Sequence, residues 1–74
     1  MSSIHDPRYR QIIQRLKNLR ESKNLTQVEL ATSLKKKQSY IAKIETFERR
    51  IDIIELQDWL KALETDICSF FSEN

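Results

Sequence analysis

The segment from Thr26 to Glu45, TQVELATSLKKKQSYIAKIE, carries the side chains best suited to binding another molecule. In its second half, the outward positions of a predicted helix contain almost no acid, and they are Lys37, Gln38, Ser39, Lys43 and Thr46. Ammonium, amide and hydroxyl groups can hydrogen-bond to base edges in the major groove of DNA. A helix that presents such groups on a compact apolar support is suited to lie in that groove.

Two short helices joined by a tight turn explain the spacing within this segment. Thr26 and Glu29 predict a capping box at the start of the first helix. Apolar residues then recur at helical spacing, as Leu30, Ala31 and Leu34 and again as Ile41 and Ile44. Because Ala31 is small, the two helices can approach closely where they cross. The second helix is predicted to run from about Gln38 to Thr46.

Capping residues also mark the remaining helices. Asp6 followed by Pro7 predicts a helix start, because Asp accepts from unpaired N–H groups and Pro loses no bond at the first helical position. Asp52 with Glu55 predicts a second capping box, and Asp66 predicts the start of a last short helix. The chain has no glycine, one proline and no convincing strand pattern, so we predict an all-α fold.

The charge is distributed unevenly along the chain, although its net value is only +2. Residues 1–34 carry six basic and three acidic groups, residues 35–50 carry six and two, and residues 51–74 carry one and six. Basic residues gathered on one element are typical of nucleic-acid binding, whereas a solvated mixed-charge surface would show less segregation. The pattern favours a nucleic-acid-binding face, and together with a helix suited to the major groove it predicts double-stranded DNA as the partner.

The composition argues against an enzyme, a membrane protein and a secreted protein. Rossmann and P-loop turns need glycine, and the only histidine and cysteine, His5 and Cys68, lie at opposite ends, so we expect neither a catalytic pair nor a metal site. No apolar run approaches the roughly 20 residues that span a bilayer, and no signal peptide is expected. We predict a cytoplasmic protein, associated with the nucleoid when bound to DNA, without a cofactor or small-molecule ligand.

The words TQVELA, QSYIAKIE and ERR, in this order and spacing, resemble the helix-turn-helix of the lambda repressor/Cro-like family, also called the XRE family. The similarity extends from about Leu16 to Phe71. It implies a compact five-helix, lambda-repressor-like DNA-binding domain in which helices 2 and 3 form the helix-turn-helix. We expect a flexible N-terminal arm at residues 1–5 and a single helix-turn-helix domain at 6–74 that ends in a dimerisation helix.

The resemblance also implies roles for individual residues. Gln38, Ser39 and Lys43 match the positions with which the family reads base edges. The chemistry agrees, because Gln can bond bidentately to adenine and Lys can donate to guanine acceptors. Arg20 and Glu45 match a structural ion pair that ties helix 1 to the end of helix 3.

Five side chains are predicted to contact the DNA backbone, and they are Gln27, Lys37, Tyr40, Arg49 and Arg50. Gln27 matches a family position whose side chain binds a phosphate together with the backbone N–H groups at the start of helix 2. Arg49 and Arg50 lie in the loop after helix 3, which lies against the backbone in this docking geometry. Two interpretations of Tyr40 remain open: a phosphate contact, or a half-buried hydrophobe with its hydroxyl at the rim.

Four positions at which the family often has glycine carry other residues here, namely Asn24, Lys35, Phe47 and Glu64. Asn tolerates the left-handed conformation that glycine adopts at such turns. Each of the other three would cost on the order of 1 kcal/mol in that conformation. We therefore expect one or two of these turns to be reshaped, with the turn at Phe47 the foremost candidate.

The C-terminal region is predicted to form a dimer interface. Phe70 and Phe71 are adjacent and cannot both point inward from one short helix. One of them, with Ile53 or Ile54, is expected to meet another subunit, and the resemblance implies dimerisation through the same region. A twofold dimer would present two copies of helix 3 about one DNA turn apart to a near-palindromic site.

These observations together predict a sequence-specific DNA-binding transcriptional regulator that acts as a homodimer. Repression is favoured, because a bare domain acts most simply by occluding a promoter. One alternative is an antitoxin or a restriction-modification controller built on the same domain. Another is a protein-interaction module that has lost DNA binding, although such a module has no need of a polar, acid-free face on helix 3.

Overall fold

The computed structural model of the protein describes residues 4–72, which form five helices and no strand. The helices are α1 (Pro7–Ser22), α2 (Gln27–Leu34), α3 (Gln38–Glu45), α4 (Ile53–Ala62) and α5 (Ile67–Ser72). The all-α prediction is confirmed. None of these helices is long and apolar enough to cross a membrane. The first three residues of the predicted arm, together with residues 73 and 74, lie outside the described range.

The predicted helix caps are present. Thr26 and Glu29 form a complete capping box, with Thr26 Oγ1 accepting from the Glu29 N–H at 3.0 Å and the Glu29 carboxylate accepting from the Thr26 N–H at 2.9 Å. Asp52 and Glu55 form the same reciprocal pair at the start of α4. Asp6 accepts from a backbone N–H of α1, and the Asp66 carboxylate does the same for α5. The sequence signals for helix starts are therefore confirmed.

All four non-glycine turn residues adopt the left-handed backbone, with φ of 59° at Asn24, 57° at Lys35, 66° at Phe47 and 58° at Glu64. The expectation that one or two of these turns would be reshaped, Phe47 foremost, is wrong. Each turn keeps both hydrogen bonds of a Schellman motif. After α2, the Lys36 N–H donates to the Ala31 carbonyl at 2.8 Å and the Lys35 N–H to the Thr32 carbonyl at 3.1 Å. Two bonds per turn offset the strain of one side chain.

Replacing Glu64 with glycine is expected to raise the free energy of unfolding by about 0.5–1 kcal/mol, because glycine removes the Cβ clash of the left-handed turn but loses more entropy on folding. Urea denaturation followed by circular dichroism measures the change. Asn24→Gly is the matched control and should gain less, since asparagine already tolerates this conformation. A Glu64→Gly variant no more stable than the parent would contradict the argument.

The core is closed by α2 packing on α3 and α4, by α1 packing on α3 and by α4 packing on α5. Its buried apolar side chains are Ile13, Leu16, Leu30, Ala31, Ile41, Ile44, Leu56, Trp59, Leu60, Leu63 and Phe70. Every helix contributes to this cluster. The rotation of α3 about its axis is set by Ile41 and Ile44, both fully buried.

The last helix resolves which phenylalanine points inward. Phe70 is buried in the core, and Phe71 is exposed with its ring edge-on to that of Phe70. Arg15 of α1 holds this arrangement, because its Nη2 donates to the Phe70 carbonyl and its guanidinium carbon lies 4.9 Å from the Phe70 ring centroid. Of the two aromatic residues named for the dimer interface, only Phe71 remains accessible to a partner.

Candidate nucleic-acid interface

The outer face of α3 is polar. Gln38, Ser39 and Lys43 are all exposed, while Ile41 and Ile44 anchor the opposite face in the core. This anchoring directs the three side chains named for base reading toward solvent on one side of the helix. Within the part of the chain that the structure describes, no group of three His, Cys, Asp or Glu side chains could hold a metal ion.

Lysines surround the start of α3. Lys35 lies in the left-handed turn after α2, and Lys37 is the exposed N-cap residue of α3, with no side-chain cap hydrogen bond. The Lys36 ammonium lies 5.3 Å from the Tyr40 ring centroid, within the range of a cation–π contact. The turn between α2 and α3 is therefore strongly positive, which suits an approach to a phosphate backbone.

A chain of polar side chains leads from the protein interior to this face. Arg20 donates to Glu45 through Nε at 2.8 Å and through Nη2 at 3.0 Å, the bidentate geometry that makes such pairs strong. The Gln27 amide donates to Glu45 Oε1 at 2.9 Å. The Gln38 amide in turn donates to Gln27 Oε1 at 2.6 Å. Arg20 and Glu45, the two residues that the resemblance pairs, thus begin a relay that ends at Gln38.

The ion pair determines how the two glutamine amides are oriented. An ionised carboxylate can only accept, so Gln27 must present its NH2 group to Glu45 and its oxygen to Gln38. Arg20 donates two hydrogen bonds to this carboxylate, and the contact raises the pKa of the Arg20 guanidinium. Gln38 therefore donates one amide hydrogen to Gln27 and keeps the other hydrogen and its carbonyl oxygen for a ligand.

Tyr40 is half-buried and faces both the core and the rim. Its ring meets Trp59 edge-on, with the centroids 6.2 Å apart, and the Trp59 indole N–H donates to the Tyr40 hydroxyl at 3.3 Å. Burial raises the pKa of this hydroxyl above its ordinary value, so it stays protonated at neutral pH. The hydroxyl also hydrogen-bonds with the Glu55 carboxylate and lies at the rim, so the structure is compatible with both interpretations of this residue.

Arg49, one of the predicted phosphate contacts, is held by several bonds within its own chain. Its Nη1 and Nη2 donate to the two carboxylate oxygens of Glu55 at 3.1 and 2.9 Å, and its guanidinium carbon lies 5.0 Å from the Tyr40 ring centroid. Nη1 also donates to the carbonyl of Arg50 at 2.8 Å. Arg50 itself is exposed in the same loop.

Sequence reasoning missed two residues that shape this loop. Tyr9 of α1 accepts from the Ile51 N–H at 3.1 Å, and its hydroxyl lies 3.5 Å from the Arg49 carbonyl. Glu55 binds Arg49 in addition to serving the capping box. The Tyr9 contacts join residues 40 or more positions apart, so no local pattern announces them. The three-residue spacing from Asp52 to Glu55 predicts the capping box and gives no sign of the second role of Glu55, which is to bind Arg49.

Comparison with known proteins assigns the family. The family model described as helix-turn-helix matches residues 16–70. A solved structure of an XRE-family like protein from Pseudomonas syringae pv. tomato str. DC3000 is 38% identical in sequence, with a TM-score of 0.86 over 93% of this chain and 84% of that chain. The chain belongs to the XRE family of helix-turn-helix proteins.

Two other solved structures resemble this XRE-family chain, and both are mutants of the restriction-modification controller protein C.Esp1396I. One is 31% identical with a TM-score of 0.77, covering 82% of this chain and 81% of that chain. The other is 30% identical with a TM-score of 0.77, covering 82% and 77%. No curated protein matches the sequence significantly. Family membership confirms the expected fold and makes the XRE-family chain a DNA-binding transcription regulator.

Proposed function

We propose that this protein binds a near-palindromic DNA operator as a homodimer and represses transcription from the promoter that the operator overlaps. The arrangement of α3 carries the proposal. Its outer face is exposed and free of acid, and its first side chain, Gln38, is oriented by hydrogen bonds that run back through Gln27 to a buried ion pair. Such pre-orientation helps a side chain to select among bases, and it would serve no purpose on a solvent-exposed face that binds no ligand.

Gln38 is matched to adenine. In the major groove adenine offers one acceptor, N7, and one donor, the N6 amino group. With one amide hydrogen engaged by Gln27, the side chain of Gln38 still offers one donor and one acceptor. Ser39 and Lys43 extend the same face, and Lys43 brings a cation that suits guanine acceptors.

Gln38→Ala is expected to lower the affinity for the cognate operator by roughly 1–3 kcal/mol and to relax the preference for adenine at one base position. Fluorescence anisotropy against the operator and its single-base variants measures both effects. Lys37→Ala serves as a control, because loss of a phosphate contact weakens all duplexes alike and lowers the salt slope by about 0.9. If Gln38→Ala weakened binding to all duplexes equally, Gln38 would not be a base-reading residue.

Contacts to the DNA backbone are proposed for side chains on α3 and on the segments before and after it. Gln27 retains one amide hydrogen for phosphate and lies at the start of α2, where unpaired N–H groups attract anions. Lys37 and the loop residues Arg49 and Arg50 add cations, and Tyr40 brings a hydroxyl at the rim. These contacts fix the position of α3 without specifying sequence.

The homodimer is proposed to form through α4 and α5. Four large hydrophobic side chains are well exposed within residues 4–72, and three of them, Ile53, Ile54 and Phe71, lie on these two helices. Since exposed apolar side chains gain most from burial against a partner, the C-terminal helices are the natural contact surface. The segment 51–74 is also acidic, so DNA does not compete for it.

Fluorescence anisotropy with the DNA upstream of the protein's own gene, and with a scrambled duplex, each titrated with salt, tests the proposal. A preference of about a thousandfold or more for the upstream DNA, with steep salt slopes on both duplexes, would support it. In vitro transcription from that promoter should then fall as protein is added. Absence of binding even at low salt would favour a protein-interaction module instead.

A restriction-modification controller is the second candidate function. The similarity to the controller protein C.Esp1396I, at 31% identity over 82% of this chain, supports it. The two candidates share the same DNA-binding chemistry and differ in the genes that they regulate. Genes for a methyltransferase and an endonuclease beside this one, with the operator between them, would favour the controller.

A further inference from the structure

The loop after α3 contains an arginine that is already bound to an acid of its own chain. Two parallel bonds join the Arg49 guanidinium to the Glu55 carboxylate, and a third bond goes to the Arg50 carbonyl. Stacking on the Tyr40 ring restrains the guanidinium further. Arg49 lies in a loop that is expected to face phosphate, yet its Nη1–Nη2 edge is occupied, and only Nε–H and the second Nη2 hydrogen remain as donors.

We propose that Glu55 is an internal competitor for DNA phosphate at Arg49 and thereby limits the number of backbone contacts that each subunit makes. This inference rests on the proposed operator binding. Carboxylate and phosphate both bind arginine in a bidentate geometry, so one edge of the guanidinium cannot bind both groups at the same time. While Glu55 holds Arg49, the Nη1–Nη2 edge is closed to phosphate and the charge of the guanidinium is compensated, so the loop attracts phosphate less strongly than its sequence suggests.

Glu55 is a fixed acceptor rather than a chance partner. Its Oε1 also accepts from the Asp52 N–H at 3.1 Å, which anchors the carboxylate in the capping box at the start of α4. The Glu55 side chain is only 18% exposed, whereas that of Arg49 is 42% exposed. The guanidinium is therefore the more exposed member of the pair, and it can reach solvent and phosphate when Glu55 no longer binds it. The bonds from Arg49 lower the pKa of Glu55, so this carboxylate is charged at neutral pH.

Glu55→Gln removes the competitor while preserving the local fold. Glutamine at this position still accepts from the Asp52 N–H, because capping boxes accept either residue. It presents only one acceptor oxygen and no charge to Arg49, so the bidentate pair is lost. The start of α4 should remain intact, which circular dichroism can verify.

Glu48→Gln is the matched control for the change in charge. Glu48 is exposed in the same loop, and its carboxylate lies 2.7 Å from the Thr46 hydroxyl. Removing it raises the net charge by the same amount as Glu55→Gln but leaves the Arg49–Glu55 bonds in place. A simple charge effect would therefore appear equally in both variants.

The test is a salt titration of binding to a mixed-sequence duplex, since phosphate contacts do not depend on sequence. Glu55→Gln is expected to bind about threefold to fivefold more tightly per subunit than the parent, and its slope of log K against log salt should steepen by about 0.9 per subunit. Glu48→Gln should leave that slope unchanged. Adding Arg49→Gln to Glu55→Gln should abolish the gain.

The outcomes separate this inference from the function on which it rests. If the parent protein shows no salt-dependent DNA binding, the proposed function itself fails. If the parent binds but Glu55→Gln has the same affinity and slope, Arg49 either contacts phosphate already or never reaches it, and the competition is refuted. A loss of affinity in Glu55→Gln would also overturn the proposal, since it would make the Arg49–Glu55 pair a support for DNA binding.

Discussion

Replacing Arg20 with methionine is expected to lower the free energy of unfolding by about 3–5 kcal/mol. The Glu45 side chain is 1% exposed, so the substitution would leave a buried carboxylate without its cation. The same change removes the bond from Arg20 Nη1 to the Leu25 carbonyl at 2.6 Å, which ties α1 to the turn before α2. Because small domains are stable by only about 5–15 kcal/mol, this loss is a large fraction of the total. Urea denaturation followed by circular dichroism measures it.

A double variant separates the cost of an unpaired charge from the value of the pair itself. Arg20→Met combined with Glu45→Leu removes both charges and is expected to recover much of the lost stability, since well-packed apolar side chains can replace a buried ion pair. It should not recover operator preference, because Gln27 loses the acceptor that orients it toward Gln38. An Arg20→Met variant with the same free energy of unfolding as the parent would show that the buried Glu45 carboxylate does not depend on the Arg20 cation.

The relay of hydrogen bonds links the buried ion pair to the outer face of α3. A buried ion pair contributes little more to net stability than well-packed apolar side chains of the same volume, so we attribute its importance here to the geometry that it imposes. Here the geometry is that of a surface amide: Glu45 orients Gln27, and Gln27 orients Gln38. We propose that stability and base selection are coupled through these three side chains.

Local signals in the sequence are sufficient for four of the five helix starts, and the start of α3 at Lys37 has no side-chain cap. Asp6, Thr26, Asp52 and Asp66 each accept from N–H groups of the helix that follows, as their spacing predicts. These signals succeed because capping depends on residues no more than three positions apart. The pairing of Arg20 with Glu45, 25 positions apart, came from family resemblance alone.

Helix ends and loop contacts were harder to predict. The conformational cost of a left-handed phenylalanine argues against such a turn at Phe47. Two backbone hydrogen bonds, from the Phe47 N–H to the Ile44 carbonyl and from the Glu48 N–H to the Lys43 carbonyl, outweigh that cost. A cation–π contact from Arg10, 4.5 Å from the Phe47 ring centroid, adds to that turn. Bonds and contacts of this kind appear only when the chain is folded.

Phe71→Glu is expected to convert a dimer into monomers and to lower operator affinity by about 10²–10⁴-fold. Phe71 is 45% exposed on α5, so a charge there faces the proposed interface without entering the core. Dimerisation makes binding of the second half-site intramolecular, and monomers lose that advantage. Analytical ultracentrifugation reports the oligomeric state and anisotropy the affinity, while circular dichroism should show an unchanged helical content.

Val28→Glu is the matched control for this substitution. Val28 is 58% exposed, somewhat more than Phe71, but it lies on α2 and outside the two C-terminal helices. The same introduced charge there should leave sedimentation unchanged, which shows that a charge on an exposed apolar position does not by itself dissociate the dimer. A Phe71→Glu protein that still sediments as a dimer would place the interface elsewhere. Loss of helicity would instead mean that the Phe71 ring, edge-on to Phe70 at 5.0 Å, is needed to hold α5 on the core.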